Sequence, residues 1–315
     1  MTAFDGLRVI LAAAFNTRYH RSGLALASAL ESLGCEVRRC ELRERGLARI
    51  LRRPLPRRLG AMLRRPVDLV LVFKGSNLSR DVVAQLRRQS RARWACWFPD
   101  DPHEIDVSLK ISPAYDWFFT HDSSSLDRHR GSGAKAYYLA FGCDPAYLTP
   151  PLLPNANGHA PLGFVGSRDP IRERALSDIR DLGLETWGPG WPAGAVYGRK
   201  FVAALAGAVV GINMHQQFGS ADPDRYGTGA NMRVFELAAV GTPQLCDAKA
   251  DIRRHFTPDR EIVLYRSVAE LRERARALLD DESLRRSLAT RARERALREH
   301  TWAIRLAELL DVSLR

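Results

Sequence analysis

Two doubly wound α/β domains in tandem, closed by a helical tail, are the fold class this sequence predicts. Three observations carry that expectation. Apolar runs of strand length alternate with amphipathic stretches of helix length from one end of the chain to the other. The alternation breaks once, in a proline-rich stretch near the middle, and then restarts. The length of 315 residues suits two domains of about 150 residues each. The boundary is placed at 154/155, giving domains over 1–154 and 155–315, with the last helix, about 302–312, packing back on the first domain.

In the first half, Leu7–Ala14 reads as a buried strand, followed by a loop at Asn16–Tyr19 and a helix through Leu24, Leu26, Ala27, Leu30 and Leu33. Gly34 ends that helix because glycine tolerates positive φ. Cys35–Cys40 is a second strand, Val67–Phe73 the clearest of the half, and Ser79–Gln89 a helix. Strands at Arg93–Phe98, Tyr115–Thr120 and Ala134–Ala140 follow, with a short helix near Ser123–Arg130. Near-continuous apolar strands separated by helices mean a parallel sheet covered on both faces. Pro145–Pro161 carries five prolines and is read as the linker.

The second half repeats the architecture. Strands are expected at Leu162–Gly166, Leu184–Trp187, Ala208–Asn213, Thr242–Cys246 and Glu261–Tyr265. Helices are expected at Pro170–Leu182, Tyr197–Ala206, Asn231–Val240, Ala250–Phe256, Val268–Leu279, Ser283–Arg298 and Trp302–Val312. Ligands of open parallel sheets sit beyond the carboxyl ends of the strands, and the cleft between two such domains is the natural site.

Composition narrows the functional classes. No run of 18 apolar residues suggests a membrane span, and the first residues read as no signal peptide. Five scattered cysteines, Cys35, Cys40, Cys96, Cys143 and Cys246, fit neither a disulfide framework nor a zinc knuckle and suit a reducing cytoplasm. A net charge of +12 invites a nucleic-acid reading, but only five of 48 basic residues are lysine. Such an arginine skew reflects coding bias as much as binding, so specific nucleic-acid binding is not expected. Eleven arginines between Arg38 and Arg65 form a denser cluster. It fits an anionic membrane face or an acidic partner, or else solvated arginines on a connection that turns its leucines inward.

The segment Tyr226–Pro243 holds the richest chemistry. A loop with Gly227 and Gly229 opens a helix at Asn231, and N–H groups at a helix start bind anions. Arg233, just inside, can pair bidentately with a phosphate, and Glu236 projects from the same face, able to accept from a ribose diol. The bland alternative is a capped helix with a surface Arg–Glu pair. Asp100-Asp101-Pro102-His103 follows a strand, where a carboxylate can serve as general base, bind a divalent metal or simply shape a turn. His121, after the next strand, is a second candidate base or a structural histidine. Lys74 also ends an apolar strand and must meet an anion or a carboxylate such as Asp100. Asn16 and Tyr19 follow the first strand and could close over a ligand.

The pattern N-x-R-x-F-E-x-x-A-x-G from Asn231, with His255-Phe256, His300-Thr301 and Arg305 beyond it, resembles the CgeB/YkvP-like glycosyltransferases. Phe164-Val165-Gly166-Ser167, Gly188-Pro189-Gly190-Trp191, Gly211-Ile212-Asn213, Phe73-Lys74-Gly75, Phe98–Pro102 and Tyr115-Asp116 extend the resemblance over nearly the whole chain. These enzymes are similar to GT-B glycosyltransferases, which move sugars from nucleotide donors between two Rossmann-like domains. Many GT-B enzymes carry two glutamates eight positions apart in this region. Glu236 matches the second, and Thr228 stands where the first would be.

The resemblance implies a nucleotide diphosphate sugar as donor, a UDP-sugar favoured, with no cofactor and no metal required. It implies a diphosphate at Gly166, Ser167 and Arg168, with Arg168 neutralising the leaving nucleotide or remaining a solvated loop arginine. Trp187, before Gly188, would stack on the base or lie in the core. Asn213 would point into the cleft or shape a turn. The first domain, with Asp100, Asp101, His121 and Lys74, would hold the acceptor hydroxyl, on a glycan, protein, lipid-linked or small molecule. The expected location is the cytoplasm, with peripheral contact at the inner membrane face through Arg38–Arg65. Two alternatives stand beside transfer: a sugar-nucleotide epimerase, and a sugar-nucleotide or glycan binding protein that does not turn over, the latter suggested by Thr228.

Overall fold

The computed structural model describes residues 4–15, 21–43, 54–148, 160–216, 218–219 and 226–315. Asn16, Tyr19 and the arginines of 44–53 lie outside the described residues. The chain forms two units, Met1–Ala140 with Trp302–Arg315, and Phe141–Thr301.

The first unit is built on a six-stranded sheet of β1 (Arg8–Ala13), β2 (Glu36–Glu41), β3 (Leu69–Phe73), β4 (Arg93–Phe98), β5 (Trp117–Thr120) and β6 (Ala136–Tyr138). The order is β2-β1-β3-β4-β5-β6 and every pair is parallel. Helices α1 (Ser22–Ser32), α2 (Leu55–Leu63), α3 (Arg80–Arg87), α4 (Ile105–Ile111) and α5 (Leu126–Gly131) connect the strands. All five residues of β3 are buried, as a central strand covered on both faces requires. Gly34 takes φ +88° where α1 stops, as its sequence position predicts. Ser79 caps α3 by accepting from the Val82 N–H.

Helices α2 and α4 are additions to the sequence reading. Pro54 and Pro56 stand at the start of α2, where proline is tolerated because its missing N–H has no partner to lose. Helix α2 buries Leu59 and Leu63 in the core with Val70, Val83 and Trp94. The arginine-rich connection therefore does turn its leucines inward over the part that is described.

The second unit holds a five-stranded sheet of β7 (Ala160–Val165), β8 (Leu184–Trp187), β9 (Ala208–Asn213), β10 (Gln244–Asp247) and β11 (Val263–Tyr265). Its order is β11-β10-β9-β7-β8, again parallel throughout. Around it lie α6 (Pro145–Leu148), α7 (Pro170–Ser177), α8 (Arg199–Ala206), α9 (Met232–Val240), α10 (Val268–Asp280) and α11 (Glu282–Glu299). The helix expected over Ala250–Phe256 is a 3-10 stretch at Ala250–Arg254. Leu162, Phe164, Val210, Ile212, Leu245 and Tyr265 form the middle of the core. The last helix, α12 (Trp302–Leu314), belongs to the first unit and packs against α1.

The boundary falls at 140/141 rather than 154/155, and the expected linker is not uniform. Pro145–Leu148 is helical, 149–159 lies outside the described residues, and Pro161 is already in β7. Phe141–Leu148 belongs to the second unit for physical reasons. The Cys143 N–H donates to the His300 carbonyl at 2.8 Å. Tyr147 stacks on Phe201 at 6.3 Å, and its hydroxyl donates to the Gly198 carbonyl at 2.9 Å.

Strand order fixes where each sheet opens. Neighbouring strands whose connections leave in opposite directions part at their carboxyl ends, between β1 and β3 in the first sheet and between β7 and β9 in the second. Those ends carry Lys74 in one unit and Gly166 and Asn213 in the other.

Trp97 holds α12 to the first sheet. It is fully buried, edge-on to Phe73 at 5.7 Å and to Trp302 at 5.4 Å. Trp97→Ala should destabilise this unit by about 4 kcal/mol, the cost of emptying a buried indole site. Urea denaturation followed by circular dichroism measures the loss, and a cost under about 1 kcal/mol would contradict this packing role.

Candidate active site

At the open end of the second sheet, two glycine turns lie against each other. Gly188 has φ +139°, and a Cβ there would meet the Gly166 carbonyl oxygen at 2.0 Å, so only glycine fits. The Gly166 N–H donates to the Trp187 carbonyl at 2.8 Å and the Arg168 N–H to the Pro189 carbonyl at 2.9 Å. Trp191 seals the turn by donating from Nε1 to the Gly166 carbonyl at 2.9 Å. Arg168 stands at the rim, half-exposed, paired with Glu173 at 2.6 Å and 6.0 Å from the Trp191 ring centre. Trp187 is partly buried, and its ring lies over Gly163 of β7. Trp191 is the indole that meets the Gly166 loop.

A buried guanidinium ties β7 to β9. Arg172 donates to the Ser167 carbonyl and hydroxyl, each at 3.1 Å, and to the Met214 carbonyl at 2.8 Å. Burial holds its pKa below the usual guanidinium range, against the pull of Asp169 and Asp247. Ser167 is therefore an acceptor for Arg172, which sets the loop it belongs to.

The start of α9 is fixed by a hydrogen-bonded chain. Asn213, at the end of β9, exchanges two 3.0 Å side-chain hydrogen bonds with Asn231. Asn231 caps α9, its Oδ1 accepting from the Val234 N–H, and its own N–H donates to His215 Nε2 at 3.0 Å. The ring proton of His215 therefore sits on Nδ1, which donates to Asp247 Oδ1 at 2.6 Å. The His215 N–H and the Tyr226 hydroxyl also donate to Asp247, at 2.9 and 3.0 Å. Burial raises the Asp247 pKa, but the His215 imidazole, its ring and backbone N–H groups, and Lys249 outweigh that and hold it below 3.8. Tyr226 responds in the other direction, its pKa pushed up by burial and by the Asp247 charge.

On the first turn of α9, Arg233 donates from Nε to the Val165 carbonyl at 3.2 Å, pairs with Glu236, and lies 4.7 Å from the Phe201 ring centre. Arg233 thus joins the end of β7 to the first turn of α9. Gly229 is buried in the loop before it. Thr228 donates from Oγ1 to Asp251 Oδ2 at 2.9 Å, and the Asp251 N–H returns to the Thr228 carbonyl at 3.0 Å.

The first unit carries an acidic turn after β4. Lys74, at positive φ, meets Asp100 at 2.7 Å and Glu104 at 2.8 Å. Burial lowers the lysine pKa, but the two carboxylates outweigh it and raise the value above its ordinary one. Asp101 turns the other way. It is buried, accepting from Ser108 at 2.5 Å and held 2.9 Å from His129 Nε2, while His129 Nδ1 lies 3.0 Å from Ser112 Oγ. Of the two adjacent carboxylates, Asp100 is the accessible one, and Asp101 shapes the turn. His121 is buried after β5. The prediction of Asn16 and Tyr19 falls outside the described residues.

Residues 168–311 match the family described as Glycosyl transferase-like. No curated protein matches the chain in sequence. Among solved structures, AviGT4, a glycosyltransferase involved in avilamycin A biosynthesis, is similar at TM-score 0.67 and 16% identity, over 98% of this chain and 97% of that one. Sucrose-phosphate synthase from Thermosynechococcus elongatus is similar at TM-score 0.65 and 14% identity, over 97% and 98% of the two chains. HepE of Anabaena, solved with UDP and glucose, is similar at TM-score 0.65 and 11% identity, over 97% and 99%. At these identities the likeness establishes the GT-B fold. The family match and this fold together support glycosyltransferase activity.

Within the second unit, His215, Tyr226, Asp247, Lys249 and Arg172 are additions to the sequence reading. His215 and Asp247 could have been flagged by the same rule that flagged Asn213, since each stands at or just past the end of a strand. His215, Cys246 and Asp247 also bring potential ligand atoms within 4.8 Å of one another. Both ring nitrogens of that histidine are engaged by protein hydrogen bonds, and burial keeps Cys246 as a thiol by raising its pKa. Their chemistry is that of a structural relay.

Two buried carboxylates should therefore behave alike and one exposed carboxylate differently. Asp247→Asn and Asp101→Asn should each cost about 3 kcal/mol in urea unfolding, as expected for breaking a buried pair. Asp100→Asn should stay within about 1 kcal/mol, because its partner Lys74 is near the surface and keeps Glu104. The depressed Asp247 pKa makes its contribution complete above 3.8 and lost as pH falls below that value. Wild-type stability should drop across that acid window, and the drop should be smaller in Asp247→Asn.

Proposed function

We propose that this protein transfers a glycosyl group from a nucleotide diphosphate sugar to an acceptor hydroxyl, with a UDP-sugar as donor. The observation that carries the proposal is the Arg233–Glu236 pair on the first turn of α9, joined through Val165 to the Gly166–Arg168 loop. That arrangement offers a cation, a carboxylate and a helix start beside one glycine turn. A diphosphate would lie against the loop and the helix start, where N–H groups and the helix dipole favour negative charge. Glu236 would accept from the ribose hydroxyls. HepE was solved with UDP-glucose, which supports uridine as the base.

Transfer needs stabilisation of the leaving diphosphate and removal of the acceptor proton. Arg168, half-exposed at the rim, would exchange its pairing with Glu173 for a phosphate of the leaving diphosphate. Fixed cations aimed at developing charge commonly supply the largest part of such a rate enhancement. For the proton, Asp100 and His121 are the candidate bases in the first unit, with Lys74 keeping Asp100 oriented. No step needs a metal ion. The acceptor is a hydroxyl compound held on the first unit.

One observation favours a second reading. Thr228 is hydrogen-bonded to Asp251 and presents no carboxylate of its own, so donor binding without turnover is the competing function.

A thermal-shift panel of UDP, GDP, dTDP, CDP, ADP and NAD, with and without magnesium, tests the donor site. Ligand at a hundredfold excess over Kd should add roughly 2.7 kcal/mol of apparent stability. A shift with UDP, independent of magnesium and lost in Glu236→Ala, is the expected result, and a flat panel would count against the donor site. Release of UDP from a UDP-sugar in the presence of acceptors then separates transfer from binding alone.

A further inference from the structure

The amino-terminal edge of the first sheet carries a basic groove that the chemistry above does not use. Two adjoining hollows of about 730 and 630 Å³ share Ser90, Arg91 and Arg93. Arg8 opens β1 and Arg93 opens β4, while Arg64 and Arg88 follow the last turns of α2 and α3. The groove is therefore at the opposite edge of the sheet from Lys74 and Asp100.

Its charge is unbalanced. Arg8 pairs with Asp68 at 2.7 Å and Arg87 pairs with Asp116. Arg64, Arg65, Arg88 and Arg91 are exposed and form no ion pair among the described residues. Nearby, Arg38 spends its guanidinium on the Met62 and Pro66 carbonyls at 2.9 and 2.7 Å. Burial, then the charges of Arg65 and Arg8, hold the Arg38 pKa below its ordinary value. Like charges this close raise the free energy of the free protein, and a ligand that neutralises them recovers it.

We propose that this groove docks an acidic polypeptide segment of a partner protein, with Arg64, Arg65, Arg88 and Arg91 meeting its carboxylates. Guanidinium forks match carboxylates bidentately. A hollow surface suits a chain segment better than the plane of a bilayer. The exposed large apolar residues among the described ones are Leu24, Tyr137, Ile171 and Leu284, none of which lines the groove, so an interfacial anchor is lacking there. A nucleic-acid strand is a poorer fit. It needs an open aromatic platform, and the Trp117 ring is covered by Arg93, 5.8 Å from its centre.

The test uses the full chain and fluorescein-labelled octaglutamate at physiological salt, read by anisotropy. Two groove variants, Arg88→Glu with Arg91→Glu, and Arg64→Glu with Arg65→Glu, are compared with a control of equal charge, Arg276→Glu with Arg291→Glu, on exposed positions of α10 and α11. Both groove variants should weaken binding about tenfold or more while the control stays within about twofold, because only the local field changes at the site. Unchanged melting curves establish that the variants are folded. Equal weakening by the control would overturn the proposal, because the peptide would then be sensing net charge. Groove-dependent binding of a poly-dT oligonucleotide, or of vesicles of equal parts phosphatidylcholine and phosphatidylglycerol, without groove-dependent binding of octaglutamate, would also overturn it.

Discussion

A carboxylate buried at the end of a parallel strand has to be met from every side, and that requirement organises the second unit. Asp247 closes β10 with no solvent to stabilise its charge. The surrounding chain supplies the His215 ring and N–H, the Tyr226 hydroxyl and the nearby Lys249 ammonium. The groups come from two connections: His215 and Tyr226 lie between β9 and α9, and Lys249 follows β10. Satisfying one charge thus draws two carboxyl-end connections together. Through His215 Nε2 the same chain of bonds reaches Asn231 and fixes where α9 begins. Where α9 begins is thus a consequence of how a buried charge is satisfied.

The first unit solves a similar problem with different residues. Asp101, just past β4, is buried against His129 and Ser108, and His129 is braced by Ser112. Ser, His and Asp in sequence of contact resemble a nucleophilic triad, but all are buried, so no substrate atom has access to the hydroxyl. What this cluster accomplishes is orientation. With Asp101 anchored inward, the adjacent Asp100 is turned toward Lys74 and Glu104 near the surface. Adjacent carboxylates of identical chemistry are thereby assigned opposite tasks by burial alone.

Strands, helices and their parallel order were legible because buried parallel strands write themselves as unbroken apolar runs, as in Val67–Phe73. The positions of Gly166, Asn213, Asn231, Arg233 and Glu236 were legible because strand ends and helix starts can be located from pattern. The partners of those residues were not. Nothing in the local sequence says that Asp247 faces His215, 32 residues away, or that Arg172 reaches from α7 to the Met214 carbonyl. Helix α2 was hidden for a different reason, since Pro54 and Pro56 carry the same letter whether they break a helix or begin one. Trp187 and Trp191 likewise stand four residues apart, and only the reversal at Gly188 decides which ring meets the Gly166 loop.

Net charge is the property whose meaning changes most between sequence and structure. A total of +12 reads as one statement about partners. In the folded units the arginines separate into distinct populations. Some replace missing backbone donors, as Arg38 does for Met62 and Pro66, Arg172 for Met214, and Arg285 for the Leu278 and Leu279 carbonyls at the end of α10. Others are matched by acids on the same surface, such as Arg272 with Asp181 and Arg295 with Glu261. An arginine consumed in either way contributes to the total but little to the field outside. Arginines matched in neither way, such as Arg64, Arg65, Arg88 and Arg91 at the first sheet's amino edge, are the ones that shape the local field. Overall basicity is therefore a poor guide to where a partner binds.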